Sequence, residues 1–370
     1  MFVIPAVFTA ALALAPASAQ MPAPREALDG IDPVVLLTQG KEVTGKPELK
    51  ITRGGFEYLF TTAETKAAFE KQPEKYEIQL GGMCAKMAGG AMGNPADYAV
   101  VDGKIYVFGT DDCHKKFVAA PAKYLEKPAQ PMPSSAQDLQ RGRALIDKAV
   151  TAIGGGPTLD AITTYVETSS VIQKRPTGDV PVVLKTMWKF PGAVRAERTM
   201  TAEGRTMTSA SLLTPAGAWF IGQSRRAFPQ NPEGRKSTEQ EFGRQLVPLL
   251  RGRHDADFKA ASLGRAMVDG VEVDRVRVRN GVVDATLGLE KATGAVHSLT
   301  FTARNREGEV GEYVIVFADP RDVSGLRLPF SQRALFNGEP DTYLTRTIDA
   351  ITINAPLDAA LFEPGTGGGQ

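Results

Sequence analysis

From Ser135 onward the apolar positions fall at helical spacing. Leu139, Leu145, Ile146, Ala149, Val150 and Ile153 lie along one side, with serines before them and a glycine run after. That combination predicts one amphipathic helix, capped at its start and stopped by glycine. Beyond it the period shortens to two. Val182, Leu184, Trp188 and Phe190 alternate with Lys185 and Lys189; Val276 and Val278 alternate with Arg275, Arg277 and Arg279; Tyr313, Ile315 and Phe317 form another such row. Each row is one face of a half-buried strand. Turn pairs at Asn280-Gly281, Thr293-Gly294, Glu307-Gly308 and Asn337-Gly338 join such strands as hairpins, so a long antiparallel meander is expected. A second helix is predicted in STEQEFGRQLVPLLRGR, with Ser237 as its cap, Phe242, Leu246, Leu249 and Leu250 as its apolar side, and Pro248 kinking or shortening it. Two helices over one apolar sheet face leave a cleft between the layers.

Upstream, the chain repeats itself. FEYLFTTAETKAAFEKQPEKY (56 to 76) aligns with KIYVFGTDDCHKKFVAAPAKY (104 to 124), and Tyr58/Tyr106, Phe60/Phe108, Thr62/Thr110, Phe69/Phe117, Pro73/Pro121 and Tyr76/Tyr124 coincide. Each copy reads as an aromatic strand, a threonine cap and a short helix carrying an inward phenylalanine. EKPAQPMPSSAQ, with three prolines, has linker composition, and the domain boundary is placed at 127–136. Before the repeat, an apolar run from Phe2 to Leu14 followed by Ala17-Ser18-Ala19 reads as a secretory leader over 1–19. No later apolar stretch is long enough to cross a bilayer. The expected location is periplasmic or secreted, and the last residues, 365–370, are expected to form a disordered tail.

Charge narrows the function by exclusion. Lys+Arg 43 against Asp+Glu 42 gives no basic field for nucleic acid. The chain lacks Gly-x-Ser-x-Gly, His-Glu-x-x-His, a phosphate loop and a dinucleotide fingerprint, and three histidines leave little acid-base chemistry; a non-catalytic role is expected. His297 shares a strand face with Leu299 and Phe301 and reads as a core or cavity histidine; His254 sits at a charged helix end. Candidate cavity residues are Trp188, Phe190, Trp219, Leu246, Leu250, Leu299 and Phe301. Cys84 and Cys113 are the two cysteines. In an exported domain such a pair forms a disulfide, worth roughly 3 to 4 kcal/mol in the chain-entropy model. The alternative is a soft-metal site, in which Met83, Cys84, Met87, Cys113 and His114 hold copper.

Two resemblances bear on these readings. The segment from about Leu28 to Glu126, with GGMCA after its first strand–helix copy and VDGKIYVFGTDDCHKKF in the second, resembles a YHS-type domain, a small α+β module placed at 26–126. The metal-associated branch of that family carries a cysteine where this chain has Gly109. From Gln137 to Pro364, the pieces KAVTAIGGGPTLDAITTYVE, WKFPGAVRAER, ATLGLEKATGAVHSLTF and IDAITINAPLDAALFEP resemble the lipoprotein-carrier (LolA/LolB-like) superfamily. That resemblance implies a half-barrel at 137–364, a curved antiparallel sheet covered by helices, enclosing an apolar cavity. The whole reads as α+β: a small module followed by a half-barrel. The expected function is an exported carrier or binding protein for a lipid-like molecule with no cofactor. Copper handling by the YHS-like module and a non-catalytic scaffold for envelope proteins are the alternatives.

Overall fold

A single carboxylate organises the first folded segment. In the computed structural model, which describes residues 23–87, 92–174, 178–202 and 204–365, Asp32 is wholly buried just before a helix. Its Oδ1 accepts the Val34 and Val35 N–H groups at 2.9 and 3.2 Å, and its Oδ2 accepts the Thr61 N–H at 2.7 Å and the Thr61 and Thr65 hydroxyls at 2.8 Å each. The elements so tied are β1 (Arg25–Glu26), α1 (Pro33–Gln39), β2 (Lys46–Arg53), β3 (Phe56–Phe60) and α2 (Ala63–Lys71). β3 is central, parallel to β1 and antiparallel to β2. Asp32 caps α1 and fastens it to the end of β3 and the first turn of α2. The leader predicted at 1–19 lies outside the described residues, as does all but the first residue of the predicted tail.

The chain divides into two compact units, Met1–Pro73 and Glu74–Gln370; α3 (Pro73–Tyr76) lies at the junction. The second unit opens with β4 (Asn94–Val101), β5 (Lys104–Phe108) and α4 (Asp111–Ala119). The two repeat copies have the same local build. Thr62 caps α2 through the Thr65 N–H at 3.3 Å, and Thr110 caps α4 through the Cys113 N–H at 3.2 Å. Phe69 lies 4.8 and 5.3 Å from the Tyr58 and Phe60 rings, and Phe117 lies 5.2 and 5.3 Å from Tyr106 and Phe108. The second copy belongs to the same compact unit as the large sheet that follows. Lys86 donates to the Glu307 carbonyl at 2.6 Å, Arg304 donates to the Tyr124 carbonyl, and the proline-rich segment offers the Gln130 and Pro131 carbonyls to Arg279 and Arg277.

The predicted helix is α5 (Ala136–Ile153), capped by Ser135 through the Asp138 N–H at 3.0 Å. After α6 (Gly156–Asp160) the chain runs β6 (Thr164–Gln173), β7 (Val180–Lys189), β8 (Ala193–Ala202), β9 (Arg205–Thr214), β10 (Gly217–Ile221) and β11 (Ala227–Pro229). It then forms α7 (Pro232–Gly243) and α8 (Leu246–Arg251), followed by β12 (Lys259–Val268), β13 (Val271–Asn280), β14 (Val283–Glu290), β15 (Val296–Arg304), β16 (Val310–Val323), β17 (Leu326–Phe336) and β18 (Glu339–Ile353). All thirteen strands from β6 onward form one open, curved antiparallel sheet in the order β11-β10-β9-β8-β7-β6-β18-β17-β16-β15-β14-β13-β12. The meander is therefore laid down in two runs that meet where β18 pairs with β6. β11 and β12 are opposite edges, and the segment between them must cross a face of the sheet. That segment carries α7 and α8.

The apolar side of the crossover and of α5 packs on one face. Ile146, Ala149, Val150 and Ile153 of α5, Phe242 of α7 and Val247, Leu249 and Leu250 of α8 join Trp188, Val276, Val278, Leu287, Leu299, Tyr313, Ile315 and Leu328 of the strands in one buried cluster. α5 comes close to β12 because Gly142 faces it; a Cβ there would lie 2.5 Å from the Ala261 nitrogen. The second helix differs from its expected form. Asn231, not Ser237, is the cap, accepting the Gly234 N–H at 2.8 Å, and Pro232 takes the first helical position, where no N–H is needed. The helix breaks at Arg244–Gln245, and Pro248 falls in the first turn of α8, so its missing donor costs nothing there.

Because five hydrogen bonds converge on Asp32, Asp32→Ala should destabilise the first unit by about 2 to 4 kcal/mol, from a lost cap and stranded hydroxyls. Chemical denaturation of the full chain should show that unit's transition moved to lower denaturant with the other unchanged.

Candidate functional site

The cleft under the crossover contains two abutting cavities. The first, of about 170 Å³, has Leu299 and Phe301 of β15, Ile315 and Phe317 of β16 and Leu328 of β17 as its floor, and Arg244, Leu246, Val247 and Pro248 as its roof. The second, of about 320 Å³, extends under α5 beside Ala149, Ile153, Val296 and His297. Leu246, Phe317 and Pro329 border both. Their walls are mostly apolar; a dry cavity of about 150 Å³ is already enough to hold a benzene-sized molecule.

The roof is anchored at both ends. At the start of α7, Asn231 donates to the Gly81 carbonyl at 2.9 Å, linking the lid to the segment between the two repeat copies. Beyond α8, the Arg253 guanidinium makes a two-pronged contact with Asp160, at 2.8 and 2.6 Å, and also donates to the Leu250 carbonyl at 3.2 Å. Arg251 donates to the Ile162 carbonyl and lies over the Phe190 ring, 4.3 Å from its centroid. Midway, the Trp188 indole donates to Gln245 at 3.2 Å.

Several polar groups of the first cavity are held in a network. Glu167 accepts the Tyr165 hydroxyl at 2.9 Å and lies 3.4 Å from Arg346, which in turn donates to Gln332 at 2.9 Å. Burial, with Glu167 beside it, raises the Tyr165 pKa well above its ordinary value. Outside the cavity lining, Tyr313 donates to Asp341 at 2.8 Å. Arg244 is different: its guanidinium lies over Phe301, 3.9 Å from the ring centroid, and desolvation lowers its pKa against the opposing pull of Glu241 and Tyr313.

The expected cavity residues divide as follows. Leu246, Leu299 and Phe301 line the first cavity. Trp188 and Phe190 stack on each other at 5.4 Å beside it, and Leu250 is wholly buried in the core beneath the lid. Trp219 is on the other face. Its register partner Leu212 packs with Met187, Ile221 and Phe362 in a separate cluster on the far side of the sheet. His297 borders the second cavity and its Nε2 lies 3.2 Å from the Val268 carbonyl. Arg244 was not among the expected residues. A charged residue in an amphipathic helix reads as solvent-facing, and the signal that would have found it is its position at the helix break.

The cysteine readings need correction. Cys84 and Cys113 are both free. Cys84 is fixed in a parallel bridge beside Val107, while Cys113 sits in the first turn of α4 with its N–H on Thr110; both side chains join the apolar cluster around Phe108 and Phe117 instead of bonding. Of the copper candidates, Met87 shares that cluster with the two cysteines, while the other two have different neighbours. His114 Nδ1 is engaged by Asp97 at 2.6 Å and its ring stacks on Phe108. Met83 is buried in a bridge with Met92, and the Lys86 ammonium, itself a cation, lies 3.7 Å from the Met87 sulfur. No group of three or more His, Cys, Asp or Glu able to hold a metal occurs among the described residues.

No family model matches the chain, and no curated protein matches it; the resemblance to a YHS-type domain finds no counterpart there. Solved structures do show a distant likeness. They include a LolA superfamily protein from Nitrosomonas europaea, at 12% identity and a TM-score of 0.41, and a DUF1329 family protein from Desulfovibrio piger, at 12% and 0.38. Each match covers 60% of this chain and 97% of the other. Likeness at this level carries no functional weight, so the cleft's role has to be read from its own walls. No helix among the described residues is long and apolar enough to cross a membrane.

The Arg253 hydrogen bonds hold the Asp160 carboxyl below its ordinary range, against a smaller opposing effect of burial. A carboxyl depressed in the folded state contributes stability that is complete above its unfolded pKa of about 3.9 and is lost as pH falls through the folded value. Melting temperature should therefore lose this contribution only below about pH 4. Asp160→Asn should lower the melting temperature at pH 7 and shrink the acid-induced drop, as checked by thermal melts at pH 7 and pH 3.

Proposed function

We propose that the unit spanning residues 74–370 is a non-catalytic binding or carrier module. It holds an apolar, lipid-like molecule between the sheet and the α7–α8 crossover, in the exported compartment that the leader implies. The observation that carries this reading is the pair of abutting apolar cavities bordered by Leu246, Phe317 and Pro329 beneath a lid anchored at both ends. Each methylene of a guest buried there is worth roughly 0.8 kcal/mol, so a chain of several carbons would bind without any polar contact. The cleft's polar groups are largely committed to one another, which suits holding a molecule more than transforming one.

Two measurements test the reading. Organic-solvent extraction of the purified protein, followed by mass spectrometry, should release a lipid-like compound. Leu246→Asp, which puts a charge where the cavities meet, should weaken binding of a fluorescent fatty acid by at least about tenfold while the protein stays folded, since a charge in an apolar site costs several kcal/mol. A wild-type protein that binds no such probe would overturn the carrier reading and leave a scaffold role.

A further inference from the structure

A half-buried cation on the wall of a mostly apolar cavity requires an explanation. Taking a guanidinium out of water costs several kcal/mol unless an anion or hydrogen-bond acceptors replace the lost hydration. The other arginines around the lid have acceptors: Arg251 has the Ile162 carbonyl, Arg253 has Asp160, and Arg346 has Glu167 and Gln332. Among the described residues the Arg244 side chain has neither a hydrogen bond nor an ion pair. Glu241, exposed at the rim of the same cavity, acts on it only at longer range. What Arg244 does have is a position. It ends α7, where the helix dipole favours a cation, and the turn into Gln245 lays its guanidinium across Phe301 on the cavity floor. The ring face repays part of the desolvation and leaves the N–H groups without a protein acceptor.

We infer that the molecule held in the cleft is an anionic amphiphile: a long hydrocarbon chain ending in one oxyanion head, a carboxylate or a phosphate monoester, that pairs with Arg244. This rests on the carrier reading and deepens it. The planar guanidinium presents paired donors that match two oxygens of such a head, and charge-assisted bonds of this kind are about twice as strong as neutral ones. The tail runs from Arg244 past Leu246 and Phe317 into the second cavity, so the head is fixed at one end of a mostly apolar path.

The test is a binding series on the full chain with three probes of equal chain length: palmitate, hexadecyl phosphate and 1-hexadecanol. Wild type should bind at least one of the two anions about tenfold or more tightly than the alcohol, and the tighter anion identifies the head. Arg244→Gln should remove that preference by weakening the anions while leaving the alcohol within about twofold, and Arg244→Lys should keep most of it. The wild-type comparison needs no variant and stands even if Arg244→Gln fails to fold, which circular dichroism would show. Equal binding of all three probes by wild type, or a preference that survives in folded Arg244→Gln, would overturn the anionic head while leaving the carrier reading intact. Binding of none of the three would overturn both.

Discussion

The site depends on where the two ends of one connection lie. β11 and β12 are opposite edges of a thirteen-stranded sheet, and a connection between opposite edges has no path except across a face. The crossover therefore lies over the apolar residues that the strands' alternation places on one side. Its break at Arg244–Gln245 fixes which side chains meet the floor. Phe242 ends one helix in the core, Arg244 turns over Phe301, and Leu246 begins the next helix at the border between the cavities. A continuous helix through this stretch would present a different set.

Much of this was legible in the sequence where the determinants are local. Alternation marked β7, β13 and β16, and the Asn-Gly and Gly turn pairs marked their hairpins. At Asn337-Gly338 both residues have positive φ, as the turn requires. Ser135 and the face of α5 were equally plain. What was not legible depends on distant partners. Trp188 and Trp219 are both strand aromatics, yet they occupy opposite faces, because the face a strand turns inward is set by its register with neighbours. The start of α7 was misplaced for a different reason. Ser237 and Asn231 are both competent caps, and the deciding clue was the proline after Asn231, which suits a first helical position and no interior one. The cysteines show the limit of inference from compartment. Two thiols in an oxidising compartment tend to pair, but here both are free and pack in the apolar cluster around Phe108 and Phe117.

The repeat shows one local design put to two uses. Both copies bury a phenylalanine against two strand aromatics and cap the helix with threonine. In the first, buried Asp32 adds a polar knot that joins its helices. Leading into the second, the segment after α3 supplies the Gly81 carbonyl to Asn231 and Lys86 to the Glu307 carbonyl. The glycine- and methionine-rich stretch entering this copy is also where the chain fastens to the lid and the sheet.

The two-ended attachment of the crossover also has a kinetic and entropic side. A cover brought by a separate molecule would have to bind from solution and would give up translational and rotational freedom each time it closed. A cover held at both sheet edges closes as an intramolecular event, at an effective concentration set by the length of its own tethers, in the millimolar range for short flexible links and higher for stiff ones. The buried Phe242, Val247, Leu249 and Leu250, with the Trp188–Gln245 hydrogen bond and the Arg253–Asp160 pair, then act on a cover that is already local.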